Sequence, residues 1–176
     1  MAVQKQIRLL IVMAVIIVGH KVAIEIEHKF LLANNEWRND VSYSVKYKQG
    51  YLNSIATSSI RVRISDNHAW LNIKSATIGT QRHEYEYEIP ISDAQEIITN
   101  LCKKPIIEKT RHIVINEGNT WEIDEFEGDN IGLIVAEIEL PEVGAVFSKP
   151  NWLGEEVTSD LRYYNNNLAN HPYSVW

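Results

Sequence analysis

From residue 22 onwards, apolar and polar side chains alternate with a period of two, the pattern of strands with two unlike faces. "VAIEIEHKFLL" (22–32) shows it first: Glu25, Glu27 and Lys29 fall on one side, and Ile24, Ile26, His28 and Phe30 on the other. The same reading predicts further strands over 43–52, 58–65, 69–75, 82–90, 106–116, 120–126 and 131–141, which makes eight. Turn residues separate several of them, such as "SDN" at 65–67 and "NEGN" at 116–119. A helix interrupts the series. Ser92 and Gln95 have the spacing of a capping box, Ala94, Ile97, Ile98 and Leu101 form an apolar face, and Pro105 marks the end. A second helix is expected at about 155–169, after Gly154, where Val157, Leu161, Tyr164 and Leu168 share a stripe. No repeat or linker divides the chain, so residues 21–176 read as a single domain.

Every strand raises the same question, because each carries charge on one face. Arg61 and Arg63 share a side of "SIRVRI"; Asn72 and Lys74 share a side of "WLNIKS". Arg82, Glu84, Glu86 and Glu88 oppose Tyr85, Tyr87 and Ile89. Lys109 pairs with Arg111, Glu122 with Asp124, and Glu137 with Glu139. For any one strand, a solvated outer face explains this. Across the set, the charges segregate into acid-rich and base-rich strands, and eight strands are about enough to close a barrel. With the charged rows inward, the lumen would hold acids and bases together, and the apolar rows would lie outside under the helices. A dry lumen of mixed charge is costly unless ligands complete it. Bases suit phosphates and acids suit divalent cations, so a metal-bound polyphosphate would satisfy both.

Composition narrows the reading further. The 176 residues are enough for one real core, and 45% hydrophobic with 23% charged is ordinary for a globular chain. A lone cysteine, Cys102, excludes an intrachain disulfide framework and suits a reducing, cytoplasmic compartment. The net charge of −6 argues against general affinity for nucleic acid, though not against a polyanion in a locally basic cavity. "LLIVMAVIIV" (9–18), preceded by Lys5 and Arg8, is shorter than the roughly 20 residues of a spanning helix. As a signal-peptide core it lacks a convincing cleavage site, because Gly19, His20 and Lys21 follow. A signal anchor, or a start codon misassigned ahead of Met13, fits equally well. Residues 1–20 are expected to stand outside the fold, with membrane contact only if they form a real anchor.

Glu25-x-Glu27-x-Lys29 resembles the ExExK signature of the CYTH superfamily, the triphosphate tunnel metalloenzymes. Further blocks resemble its bacterial, inorganic-triphosphatase-like branch in the right order: "QGYL" (49–52), "RVR" (61–63), "LNIKS" (71–75), "EYEYEIP" (84–90), "EKTRH" (108–112), "WEIDEF" (121–126), "AEIEL" (136–140) and "WLGEEVTSDLRYYN" (152–165). ExExK alone is a weak pattern. Ordered blocks from about Ala23 to Pro172 are a strong one. The resemblance implies an eight-stranded antiparallel β-tunnel, mainly β with a few covering helices, and a divalent metal, usually Mg2+ or Mn2+. By that resemblance Lys29, Arg61, Arg63, Lys74, Lys109 and Arg111 hold phosphates, and Glu25, Glu27, Glu137 and Glu139 hold metal. Glu84, Glu86 and Asp124 are then further lumenal acids. Lys29 is the motif lysine, and Tyr51 falls where the bacterial branch has a tyrosine proposed as proton acceptor.

Two positions depart from the family: His28 replaces the usual arginine but should face outward, and Ser75 stands where glycine is common. The simpler role of Tyr51 is packing, since an unperturbed phenol with a pKa of about 10 needs nearby cations to act as a base. The histidines show no metal-ligand spacing, and the five tryptophans read as core and helix cover. Asp160, Arg162 and Asn165 are expected to position the C-terminal helix over one tunnel mouth. The activity implied is metal-dependent hydrolysis of inorganic triphosphate to pyrophosphate and phosphate. The alternatives are another CYTH activity on a triphosphate-containing small molecule (thiamine triphosphatase, nucleoside triphosphatase or class IV adenylate cyclase) and a non-catalytic polyphosphate-binding module.

Overall fold

The structure, a computed structural model, describes residues 23–55, 57–75 and 81–176. The expectation for residues 1–20 lies outside the described residues, and Glu25 and Arg82 are described by their backbone alone. The strands are β1 (Ala23–Leu32), β2 (Val41–Ile55), β3 (Ser58–Ser65), β4 (His68–Ser75) and β5 (Gln81–Glu88), followed by helix α1 (Ile91–Asn100). Then come β6 (Ile107–Asn116), β7 (Asn119–Phe126), β8 (Ile134–Glu139), β9 (Leu153–Glu156) and the short helix α2 (Asn165–Leu168).

All strand pairs are antiparallel, in the order β5-β4-β3-β2-β6-β7-β8-β1-β9. β5 also pairs with the start of β1, from Ala23↔Glu84 to Ile26↔Gln81. The strands from β1 to β8 therefore wrap into a barrel-like tunnel, and β9 lies along the later part of β1. Tight turns set the register. Glu117 and Gly118, between β6 and β7, both have positive φ (48° and 79°), as a type I′ hairpin turn requires.

The outer apolar rows are covered in two places. On one side, Ala94 and Ile98 of α1 pack on Val62, Ala69 and Cys102. The helix connection comes so close to β2 that a Cβ at Gly50 would lie 2.7 Å from Cys102 Cβ and Sγ. On the other side, Phe147, Trp152 and Leu153 cover Phe30, Trp121, Ile123 and Ile138. Trp121 meets Trp152 edge-on at 5.4 Å between ring centroids.

Several details differ from the sequence pattern. The capping box does not form: α1 starts one residue before Ser92, which places Ser92 inside the first turn, where its hydroxyl donates to Asp93 at 3.1 Å. The helix expected over 155–169 is instead β9, a 3-10 turn at Leu161–Tyr163 and the four residues of α2. Here Asp160 accepts from the Arg162 amide at 3.0 Å, and the following Asn-Asn-Asn run is poor helix material. The stripe of Val157 and Leu168 is real as burial but not as one helix. The inward face also turns apolar at one end, where Tyr51, Ile107, Phe126, Leu133 and Val135 cluster with Leu168 of α2. Trp37, Trp121 and Trp152 are buried as expected, but Trp176 is 39% exposed and Trp70 stands beside Arg63.

Gly154 positions β9, because a Cβ there would lie 2.9 Å from the Leu31 carbonyl oxygen, a backbone atom that cannot turn aside. Gly154→Ala should therefore cost about 1–3 kcal/mol, read as a lower denaturant midpoint with an unchanged slope.

Candidate active site

Alternation places one inward row per strand, and the register sets which charges meet. Glu27 of β1 lies directly opposite Glu139 of β8, and Lys29 opposite Glu137. Glu122 of β7 is opposite Glu137, and Arg111 of β6 opposite Asp124. On the other wall, Lys74 of β4 faces Glu84 of β5, and Asn72 faces Glu86. These rows surround a cavity of about 610 Å³. Its lining includes Glu27, Lys29, Tyr51, Arg61, Arg63, Lys74, Glu84, Glu86, Lys109, Arg111, Glu137 and Glu139. Asp124 is the exception among the proposed site residues with described side chains. It is fully buried behind that surface.

The pairings explain how so many charges share a narrow interior. Asp124 accepts from Arg111 Nε at 2.7 Å and Nη2 at 2.6 Å, and Lys109 donates to the same carboxylate. Arg111 also donates to Glu137 at 2.7 Å and to Glu122. Lys29 lies 2.6 Å from Glu27, donates to Glu137, and sits 5.2 Å from the centre of the Tyr164 ring. Opposite, Lys74 pairs with Glu84 at 3.0 Å, Arg63 with Glu86 at 2.8 Å, and Arg61 approaches Glu84 at 3.8 Å.

Environment separates the two lysines of this cluster. Burial would strip Lys29 of its proton, but Glu137 and Glu27 outweigh it and hold the ammonium above its ordinary pKa. Lys109 is buried too, and burial with the nearby Arg111 charge pulls it down to about 8 despite Asp124 and Glu137. Glu137 would rise on burial, but Lys29, Arg111 and Lys109 hold it well below the usual carboxylate range. Glu122 stays above its ordinary value because burial exceeds the pull of Arg111. Lys29 is thus a fixed positive charge rather than a proton acceptor.

The sequence-predicted site residues with described side chains converge on one tunnel. Glu25 shares the inward parity of Glu27, with only its backbone described. Asp124 is built in as the partner of Lys109 and Arg111 rather than facing the cavity. Tyr51 lines the cavity while its ring belongs to the apolar end cluster. His28 faces away from the lumen and meets Glu156 at 2.8 Å. Of Asp160, Arg162 and Asn165, the cavity lining includes Asn165, beside Leu161 and Tyr164, while Asp160 and Arg162 pair with each other. The sequence assigned no role to two buried amides, although it placed Asn72 on the charged row: Asn72 donates to Glu84 at 2.9 Å, and Gln49 accepts from Arg61 at 3.4 Å. Parity with Lys74 and Tyr51 was the available signal. Neutral side chains on a charged row carried no emphasis.

A β-tunnel whose wall sets acidic rows against basic ones offers charges of both signs to one cavity. Residues 23–173 match the CYTH domain, and the chain belongs to that family. An inorganic triphosphatase of Acetivibrio thermocellus is 48% identical over 149 residues, which cover 85% of this chain and 95% of the relative. An inorganic triphosphatase of Nitrosomonas europaea is 34% identical, covering 82% and 96%. A crystal structure of an inorganic triphosphatase superposes with a TM-score of 0.62 at 33% identity, covering 86% of this chain and 97% of that one.

Asp124→Asn should be the most destabilising of the lumenal acid-to-amide changes, because it leaves Lys109 and Arg111 buried with less compensation. A loss of about 3–5 kcal/mol is expected, against a much smaller one for Glu139→Gln at the cavity surface. Urea unfolding of the two variants in parallel checks the order.

Proposed function

We propose that this chain hydrolyses inorganic triphosphate to pyrophosphate and phosphate, as a metal-dependent triphosphatase. The observation that carries the reading is the cavity itself. Lys29, Arg61, Arg63, Lys74, Lys109 and Arg111 line one cavity together with Glu27, Glu84, Glu86, Glu137 and Glu139. Phosphoryl transfer needs positioning and charge neutralisation more than covalent chemistry, and this lumen supplies both.

The donor set fits a hard divalent ion. Carboxylates line the cavity, with neither histidine nor cysteine among its described lining residues. Glu27 and Glu139 face each other in register, a like-charge pair that favours a cation between or beside them. Among the described residues no group of three acids, histidines or cysteines makes a ready cage. That suits Mg2+, which is commonly bound through one or two carboxylates with substrate phosphates and water completing the shell. We assign Glu27, Glu137 and Glu139, with Glu25, to the metal side, and Mg2+ or Mn2+ as the ion. When bound, it would neutralise phosphate charge and lower the pKa of water.

The chain's own groups do the rest. Arg61, Arg63, Lys74, Lys109 and Arg111 grip the phosphate oxygens, and Lys29 holds its charge at the acidic side. Tyr51 lines the cavity opposite Arg61 in the β2–β3 ladder; its hydroxyl orients the attacking water and, in its phenolate form only, would take that water's proton. No described helix is long and apolar enough to cross a membrane. We place the enzyme in the cytoplasm, with residues 1–20 outside the catalytic fold.

Phosphate release from triphosphate should be lost in excess EDTA and restored by magnesium, with pyrophosphate a poor substrate; equal turnover in EDTA overturns the reading. A rate grid over magnesium and triphosphate separates the two rows. Glu139→Gln should be rescued by more magnesium. Arg61→Ala should not, and should lose one to two decades in kcat/KM, the worth of a charge-assisted contact of roughly 1.5–3 kcal/mol.

A further inference from the structure

The lumen contains an aromatic ring that the charge pattern does not account for. Tyr47 lines the cavity on β2, opposite Lys109 of β6 on one side and the small Ser65 of β3 on the other. Its ring lies 5.2 Å from the Arg63 guanidinium and 5.7 Å from that of Arg111. Those two arginines come from strands on either side of β2 and carry like charge. We propose that Tyr47 is a positioning residue of the triphosphate site, whose ring face spaces and steadies the Arg63 and Arg111 guanidiniums.

The two arginines are held very differently otherwise. Arg111 is tied by Asp124, Glu137 and Glu122. Among the described residues, Arg63 has the carboxylate of Glu86, at 2.8 Å, and the face of Trp70, at 5.2 Å. Burial and the neighbouring Arg61 also make Arg63 less basic than an ordinary arginine. A ring that attracts both cations lets them stand on one wall without repelling each other out of register. An aliphatic side chain fills similar space but offers no negative face. The ring rather than the hydroxyl carries the effect, so phenylalanine should substitute and leucine should not. The signal was present in the sequence, since Tyr47, Gln49 and Tyr51 share parity, but a tyrosine between two lysines reads as an ordinary strand residue.

The inference rests on the triphosphatase reading, and the test keeps the two apart. Initial rates with saturating magnesium are measured for wild type, Tyr47→Phe and Tyr47→Leu, and triphosphate affinity is measured by calorimetry with EDTA in place of magnesium, so that no turnover occurs. Tyr47→Leu should raise KM and Kd about tenfold, with kcat changed less than about threefold, and Tyr47→Phe should restore both. Tyr43→Leu, an exposed tyrosine on the same strand, serves as the control and should change neither. If Tyr47→Leu proves unstable, phenylalanines of increasing fluorination at position 47 keep the shape while weakening the ring's negative face, and KM and Kd should climb with each step. A flat KM and Kd across Tyr47→Leu or across the fluorinated series overturns the proposal. So does a Tyr47→Phe variant as weak as Tyr47→Leu. A wild-type chain that binds triphosphate without cleaving it overturns the functional reading instead, and the affinity ratios still decide the role of Tyr47.

Discussion

A carboxylate with no exposed surface must touch cations, and the tunnel is organised around that requirement at Asp124. Its partners come from one neighbouring strand: Arg111 directly opposite and Lys109 two residues along on the same face. That pair fixes the β6–β7 register, since a slip of one residue would turn Lys109 and Arg111 outward. Arg111 then reaches Glu137 on β8, and Glu137 reaches Lys29 on β1, so two more strand faces follow from one buried contact. The order of strands brings acids of β1, β7 and β8 to one side and bases of β3, β4 and β6 to meet them. Affinity for a polyanion with a cation is a consequence of that arrangement.

The outer surface is held by ordinary hydrophobic burial, and it is what allows the interior to be polar. Phe30, Trp37 and Trp121 are completely buried outside the tunnel wall, and each aromatic side chain of this size contributes on the order of 2–3 kcal/mol by burial. A barrel packed from outside does not need an apolar lumen. The apolar cluster of Ile107, Phe126, Leu133, Val135 and Leu168 fills one end of the inward face, where a charge would have no ligand to meet.

Most of the wall was legible because period-two alternation is a local signal repeated on every strand. The inward rows of β1, β3, β4, β6, β7 and β8 could be read directly from charged residues at alternate positions. The C-terminal region was not, because its order comes from contacts distant in sequence. β9 exists through pairing with Phe30 and Leu32, and the Lys29 carbonyl accepts from the Val157 amide at 2.8 Å. A periodic stripe of Val157, Leu161, Tyr164 and Leu168 suggests a helix, and tertiary pairing overrides it. Asp124 was read as a lumenal acid and lies buried behind the cavity surface, since spacing cannot tell a carboxylate that faces a cavity from one buried behind it. Asn72, read onto the charged row, and Gln49 drew no predicted role because an amide shows no charge; in the fold Asn72 donates to Glu84 and Gln49 accepts from Arg61.

The close approach at Gly50 has a chemical consequence for the sole sulfur nucleophile of the chain. Cys102 is pressed against β2 where no side chain fits, and its surface is almost entirely covered. Burial raises its pKa, more than the nearby Lys104 lowers it. The thiolate, which is the form that attacks peroxides and disulfides, is therefore scarce as well as hard to reach. The tunnel's chemistry, which needs no redox step, is carried on a scaffold whose one thiol is insulated from peroxide and from disulfide exchange.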